Sequence, residues 1–178
     1  QGGLEVTEGY KPGTDLGVFS YASHAAVVAV DPATGHVEIL DYAITEDCGR
    51  MVNPMVVEGQ AYGGTAQGIG TALFEESPYD SFGQPLSSTL ADYILPGPAE
   101  LPSMRIQHME TLSPHTAHGI KGVGEGSAIA PPAAIVNAIN DALRGLGVEI
   151  NQAPMPPSHI LGKILAATGD ALATEAAP

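Results

Sequence analysis

The sequence predicts an α+β lobe, a β-hairpin packed against helices, and three observations carry that expectation. A nearly continuous apolar run, Ala25–Val30, is followed by a Pro/Gly turn and then by an alternating polar–apolar run over residues 37–44. Two later stretches have helical length and spacing, residues 55–76 and the run opened by Pro131-Pro132. Hydrophobic residues make up 44% of the 178 residues, enough for one core, and no repeat or linker divides the chain.

Residues 1–24 read as an extended, Gly-containing opening segment, residues 25–167 as the lobe, and 168–178 as a flexible tail. In the turn Asp31-Pro-Ala-Thr-Gly35, Pro fixes φ and Gly supplies a positive φ. Residues 47–54 form a breaker-rich loop. The helix over 55–76 carries Gly59, Gly63, Gly64, Gly68 and Gly70. Each costs about 1 kcal/mol against Ala in a helix interior. Such a helix needs tight packing, and its glycines mark a face where a neighbouring helix or a cofactor comes close.

Residues 90–95 and 104–110 read as strands separated by the rigid, Pro-rich loop 96–102. The helix opened by Pro131 has an apolar stripe of Ile135, Ala138, Ile139, Ala142, Leu143 and Leu146, and Gly145 and Gly147 end it. A last helix spans Ser158–Ala167, with Ser158 as the expected N-cap.

Composition narrows the function. With 20 acidic and 6 basic residues the formal net charge is -14, which argues against nucleic acid and anionic membrane as partners. The single cysteine, Cys48, excludes an internal disulfide and a Cys-ligated cluster built from this chain alone. The six His are scattered, and no metal ligands are assigned. No apolar run reaches the ~18–20 residues of a membrane-spanning helix, and no signal peptide is visible, so a cytoplasmic chain is expected. The first residue is Gln, not Met, which raises the expectation that further sequence lies upstream.

Two segments could carry chemistry. In Gly119-Ile-Lys-Gly-Val-Gly-Glu-Gly126, Glu125 stands between two glycines, so little bulk keeps its carboxylate from a ligand. The glycines also let backbone N–H groups turn inward as donors. A turn with a solvated Glu is the plainer reading of the same composition. The segment is neither a Walker loop, since its Lys precedes the glycines and no Ser/Thr follows that Lys, nor a Rossmann fingerprint. In Gly63-Gly-Thr-Ala-Gln67-Gly-Ile-Gly70, Gln67 is an amide in a groove of small residues that could donate and accept at once toward a heterocycle, or simply an exposed helix residue.

Taken in order, Asp47-Cys-Gly-Arg-Met-Val-Asn-Pro54, Val57–Gly70, Asp92-Tyr93 and Gly119–Gly126 resemble the end of the large subunit in the xanthine dehydrogenase/aldehyde oxidase (molybdenum hydroxylase) family. The variant looks most like the bacterial carbon monoxide dehydrogenase and aldehyde dehydrogenase type, and the likeness runs from about residue 20 to about residue 165. The resemblance implies a lobe of a molybdopterin-binding domain and an oxidoreductase that hydroxylates an aldehyde or N-heterocycle with water-derived oxygen. It implies molybdopterin cytosine dinucleotide as cofactor, with molybdenum held by the pterin dithiolene rather than by protein.

Residue by residue, Glu125 matches the family's catalytic base. Gln67, with Gly68 beside it, matches the pterin-contacting glutamine, and Lys121, Gly122, Val123 and Gly124 match the loop along the cofactor. The family's [2Fe-2S] and FAD groups are expected on partner chains, an iron–sulfur subunit and an FAD subunit. The family's other cofactor loops would lie on the remainder of the large subunit. On this reading the chain is a split subunit or one piece of a cleaved one, inactive alone. Gly126-Ser127 departs from the Ala or Pro that many relatives carry after the glutamate. Two alternatives remain at this point. One is a non-catalytic structural or assembly subunit of such a complex. The other is a two-carboxylate glycosidase, disfavoured because Glu75 and Glu76 are adjacent and no Trp offers a sugar platform.

Overall fold

The structure is a computed structural model and describes residues 3–9 and 17–169. The assigned tail beyond residue 169, and residues 1–2 and 10–16 of the opening segment, lie outside the described residues.

Strands β1 (Tyr21–Val30) and β2 (Val37–Asp47) form the expected antiparallel hairpin. Its turn is set by Asp31, whose carboxylate accepts from the Ala33 N–H at 2.9 Å and the Thr34 hydroxyl at 2.7 Å, while Gly35 takes a φ of 73°. The register slips between Val27 and Val28, which pair with Asp41 and Ile39, so Leu40 is the extra residue of a bulge. The hairpin is longer than the sequence suggests at both open ends. β1 begins at Tyr21, inside the opening segment, and β2 runs on to Asp47.

A third strand, β3 (Met104–Met109), pairs parallel to β2, with Tyr42 opposite Met104 and Asp47 opposite Met109, giving the order β1-β2-β3. Parallel neighbours need a long crossover. Helix α1 (Pro54–Leu73) and the connector after it supply one. Helix α1 ends three residues short of the expected boundary, because the Phe74 and Glu75 N–H groups both donate to the Gly70 carbonyl and wind the chain off. Residues 90–95 are not a strand. The Thr89 hydroxyl donates to Asp92 at 2.8 Å, and the Asp92 and Tyr93 N–H groups donate to the Thr89 carbonyl, so local turn bonds outcompete a ladder.

Helices α2 (Gly126–Ile129), α3 (Pro131–Leu143) and α4 (Pro157–Thr168) complete the lobe. A short 3-10 turn, Arg144–Leu146, follows α3, and Gly147 closes it in the left-handed conformation. The expected Ser158 cap is replaced by Pro156 at the cap position and Pro157 in the first turn. No side-chain cap bond forms there. The core lies between the sheet and the helices: Tyr42, Ile44, Ile69, Ile135, Ile139, Met155, Ile160 and Ile164 are almost wholly buried.

The glycines of α1 divide by face. A Cβ added to Gly68 would meet Pro131 at 2.7 Å, and one added to Gly64 would meet Ser127 and Ala128 at 3.1 Å, so these two let α2 and the start of α3 sit directly on the α1 backbone. Gly59 and Gly63 face open space. Gly68→Ala should therefore destabilise the protein by about 1–3 kcal/mol, the cost of overpacking. Gly63→Ala should leave stability equal or raise it by up to about 1 kcal/mol through helix propensity. Thermal unfolding of the two variants side by side checks the contrast.

Candidate functional site

The site is built from the end of β2. Consecutive strand residues point to opposite faces, so Glu46 and Asp47 diverge, yet both are buried, at 5% and 0% exposure. A buried charge is tolerated only with partners. Asp47 accepts from the Gly49 N–H at 2.8 Å, the Thr111 N–H at 2.7 Å, the Tyr21 hydroxyl at 3.0 Å and the Lys121 ammonium at 3.0 Å. Burial alone would raise its pKa. Donation from Thr111, Gly49, Lys121 and Tyr21 overcomes this and holds the carboxyl well below the usual carboxylate range. On the other face, Glu46 accepts from the Ser127 hydroxyl at 2.7 Å, and His108, its neighbour across the β2–β3 ladder, places Nδ1 3.2 Å from its other oxygen.

Lys121 and Ser127 bracket the glycine loop. On the Lys121 side, the backbone is pinned as well: its N–H donates to the Cys48 carbonyl at 2.8 Å, and Ile120 bridges to Gly49. Just upstream, His118 and Gly119 take φ of 60° and 72°, a left-handed pair that turns the chain toward β2. On the Ser127 side, α2 begins, with the Ala128 N–H donating to the Glu125 carbonyl at 2.9 Å.

Between these ends, residues 122–126 form one wall of a cavity of about 510 Å³, and residues 18–22 with Ile129 and Ala130 form the rest. Glu125 is exposed on that wall. A Cβ added to Gly122 would meet nothing within 4 Å, so the loop backbone is open. Gly124 touches Gln60 of α1, whose amide donates to its carbonyl at 3.4 Å.

The structure brings Gly122, Val123, Gly124 and Glu125 together on one cavity wall. It treats the other expected site residues differently. The Lys121 side chain is turned inward, 7% exposed, onto Asp47, so its charge is spent within the fold. Gly68 is buried beneath Pro131, so its small size serves helix packing rather than an open cofactor face. Gln67 is exposed on α1 but does not line the cavity. It lies seven residues, about 10.5 Å of helix, beyond Gln60 on the same side.

Sequence reasoning missed Gln60, the cavity wall from Phe19 to Ala22, and the anchors Glu46, Asp47 and Ser127. Gln60 and Asp47 sat within segments already singled out. Nothing local pairs Glu46 with a serine 81 residues away. Among the described residues, no group of three or more His, Cys, Asp or Glu is placed to hold a metal ion, and no helix is long and apolar enough to cross a membrane.

Comparison with known proteins assigns the chain and its fold to a family. The model of the molybdopterin cofactor-binding domain family matches residues 1–102, and the chain belongs to that family. Its relatives are molybdenum hydroxylases. The chain is 42% identical over 159 residues to the nicotine 6-hydroxylase large subunit of Paenarthrobacter nicotinovorans, covering 89% of this chain and 19% of that protein. It is 35% identical over 146 residues to the carbon monoxide dehydrogenase large chain of Hydrogenophaga pseudoflava, covering 82% and 18%. Among solved structures, quinoline 2-oxidoreductase from Pseudomonas putida 86 superposes with a TM-score of 0.77 at 49% identity, over 79% of this chain and 18% of that one. The chain thus spans about a fifth of the length of the relatives it matches, and the α+β fold is that of their molybdopterin-binding domains.

Asp47→Asn should cost about 3–5 kcal/mol, because it leaves the Lys121 ammonium buried without its counter-charge. The pH dependence has a definite sign. A depressed carboxylate pKa contributes stability that is fully present above its unfolded value of about 3.9. That contribution is lost as pH falls through the lower folded value. Acid unfolding followed by circular dichroism should show that limb in the wild type and a flatter one in Asp47→Asn.

Proposed function

We propose that this chain is the part of a molybdenum hydroxylase large subunit that delivers the general base, Glu125, to a molybdopterin cytosine dinucleotide cofactor. In this reading the complete enzyme oxidises an N-heterocycle or an aldehyde. The observation that carries it is a carboxylate flanked by glycines on the wall of a cavity whose backbone is open. These residues fit a large polar cofactor: a side chain at Gly122 would enter space that nothing in the lobe fills, and the open face of α1 at Gly59 and Gly63 is likewise bare.

When bound, the cofactor supplies the two-electron oxidising centre and the site of oxygen transfer. This chain's own residues do the rest. Gly122, Val123 and Gly124 present backbone to the cofactor edge, and Gln67 offers a donor and an acceptor to the pterin from the exposed side of α1. Lys121 contributes its backbone to the same loop. Glu125 takes the proton from the oxygen nucleophile, which requires an approach of about 2.6–3.2 Å; the absence of side chains on Gly124 and Gly126 permits it. Phe19 and Tyr21 line the same cavity, with the Tyr21 ring held 4.9 Å from the Lys121 ammonium. The relatives named for nicotine and quinoline support the heterocycle over the aldehyde.

The remainder of the large subunit, an iron–sulfur subunit carrying [2Fe-2S] and an FAD subunit complete the proposed enzyme. The exposed apolar side chains Val52, Met55, Val56 and Ile129 offer surface for such partners.

Glu125→Gln in the complete enzyme should lower kcat by roughly 10²–10⁴-fold, the usual contribution of a positioned base. Molybdenum and cytosine nucleotide, measured in the purified complex, should stay at wild-type levels. Near-normal turnover would remove Glu125 from the role. Absence of both molybdenum and nucleotide from the wild-type complex would make the chain a structural subunit.

A further inference from the structure

The chemistry assigned to Glu125 leaves two buried carboxylates unused, Glu46 and Asp47. We propose that these adjacent residues are positioning residues, a pair of tethers that together set where the Glu125 carboxylate stands. The inference rests on the reading of Glu125 as base and adds what holds it in place.

The loop from 122 to 126 cannot hold itself. Three of its five residues are glycine, and the space beside Gly122 is empty. Besides a long 3.4 Å bond from the Gln60 amide to the Gly124 carbonyl and the first turn of α2, its placement is transmitted from its two ends. At one end, Lys121 is fixed by its ion pair with Asp47, itself held by three further donors. At the other, Ser127 is 1% exposed, and its hydroxyl donates to Glu46 at 2.7 Å, only two residues from Glu125. Because Glu46 and Asp47 are neighbours on one rigid strand, the two ends share one reference point. The loop between them spans the gap from one face of β2 to the other.

The test uses the complete enzyme, with quinoline, nicotine and benzaldehyde as substrate probes. Ser127→Ala and Glu46→Ala remove the second tether, whereas Glu46→Gln keeps an amide oxygen that still accepts from Ser127. Roughly 10- to 100-fold losses in kcat are expected for the two alanine variants, the scale of an ångström's misplacement of a reacting group. KM and molybdenum content should change little, and Glu46→Gln should recover most of the lost kcat. Amide hydrogen exchange over residues 121–128 should quicken in both alanine variants but not in α3, a readout independent of turnover. Unchanged exchange and unchanged kcat in Ser127→Ala, beside an inactive Glu125→Gln, would overturn the tether and leave the base standing. An active Glu125→Gln would overturn the base and the tether's purpose with it. Should Glu46→Ala fail to accumulate, Ser127→Ala, which loses only a hydroxyl, decides the question by itself.

Discussion

Two charges at the end of one strand cannot be buried without partners, and the rest of the site follows from where those partners are found. Strand alternation sends Glu46 and Asp47 to opposite faces of β2. Desolvating either carboxylate unpaired would cost several kcal/mol. Asp47 recovers that cost from Lys121, Tyr21 and two backbone N–H groups, and Glu46 accepts the Ser127 hydroxyl beside His108. Lys121 and Ser127 lie six residues apart, and what lies between them is the glycine loop with Glu125. The electrostatics of a buried strand end thereby becomes the geometry of a cavity wall.

The glycines of α1 show the same economy of means. On one side, Gly64 and Gly68 let Ser127, Ala128 and Pro131 approach the helix backbone, which seats α2 directly after Glu125. On the other, Gly59 and Gly63 leave bare helix facing outward, along with Gln60 and Gln67. A single residue type thus serves inward packing and outward openness, according to its position around a 3.6-residue turn. The cavity has one wall from the glycine loop, residues 122–126, and another from residues 18–22 with Ile129 and Ala130. The chain spans about a fifth of the length of the relatives it matches.

Much of this was legible in the residues. The hairpin, the glycine-bearing helix, the strand at Met104–Met109 and the helix opened by Pro131 all announce themselves by local pattern, because turn chemistry and apolar spacing act over a few residues. Where the sequence misled, a short-range competitor or a long-range partner had decided the matter. Residues 90–95 look extended, but Thr89 and Asp92 bond each other into a turn. Ser158 looks like a cap, but the preceding prolines already set the helix entrance. Gly68 looks like part of a groove, but Pro131 covers it.

The sequence by itself determined most of the elements, the family and the identity of the loop that carries the exposed carboxylate, since each is written in contiguous residues or in ordered motifs. Only the tertiary structure decided which faces those residues show. The parallel pairing of β3 with β2, the inward turn of Lys121 and the bond from Ser127 to Glu46 depend on groups brought together from 62 to 81 positions apart. The physical reason is that burial is a property of packed neighbours: whether a charge needs a partner, or a glycine makes room, is settled only when the chain has closed around it.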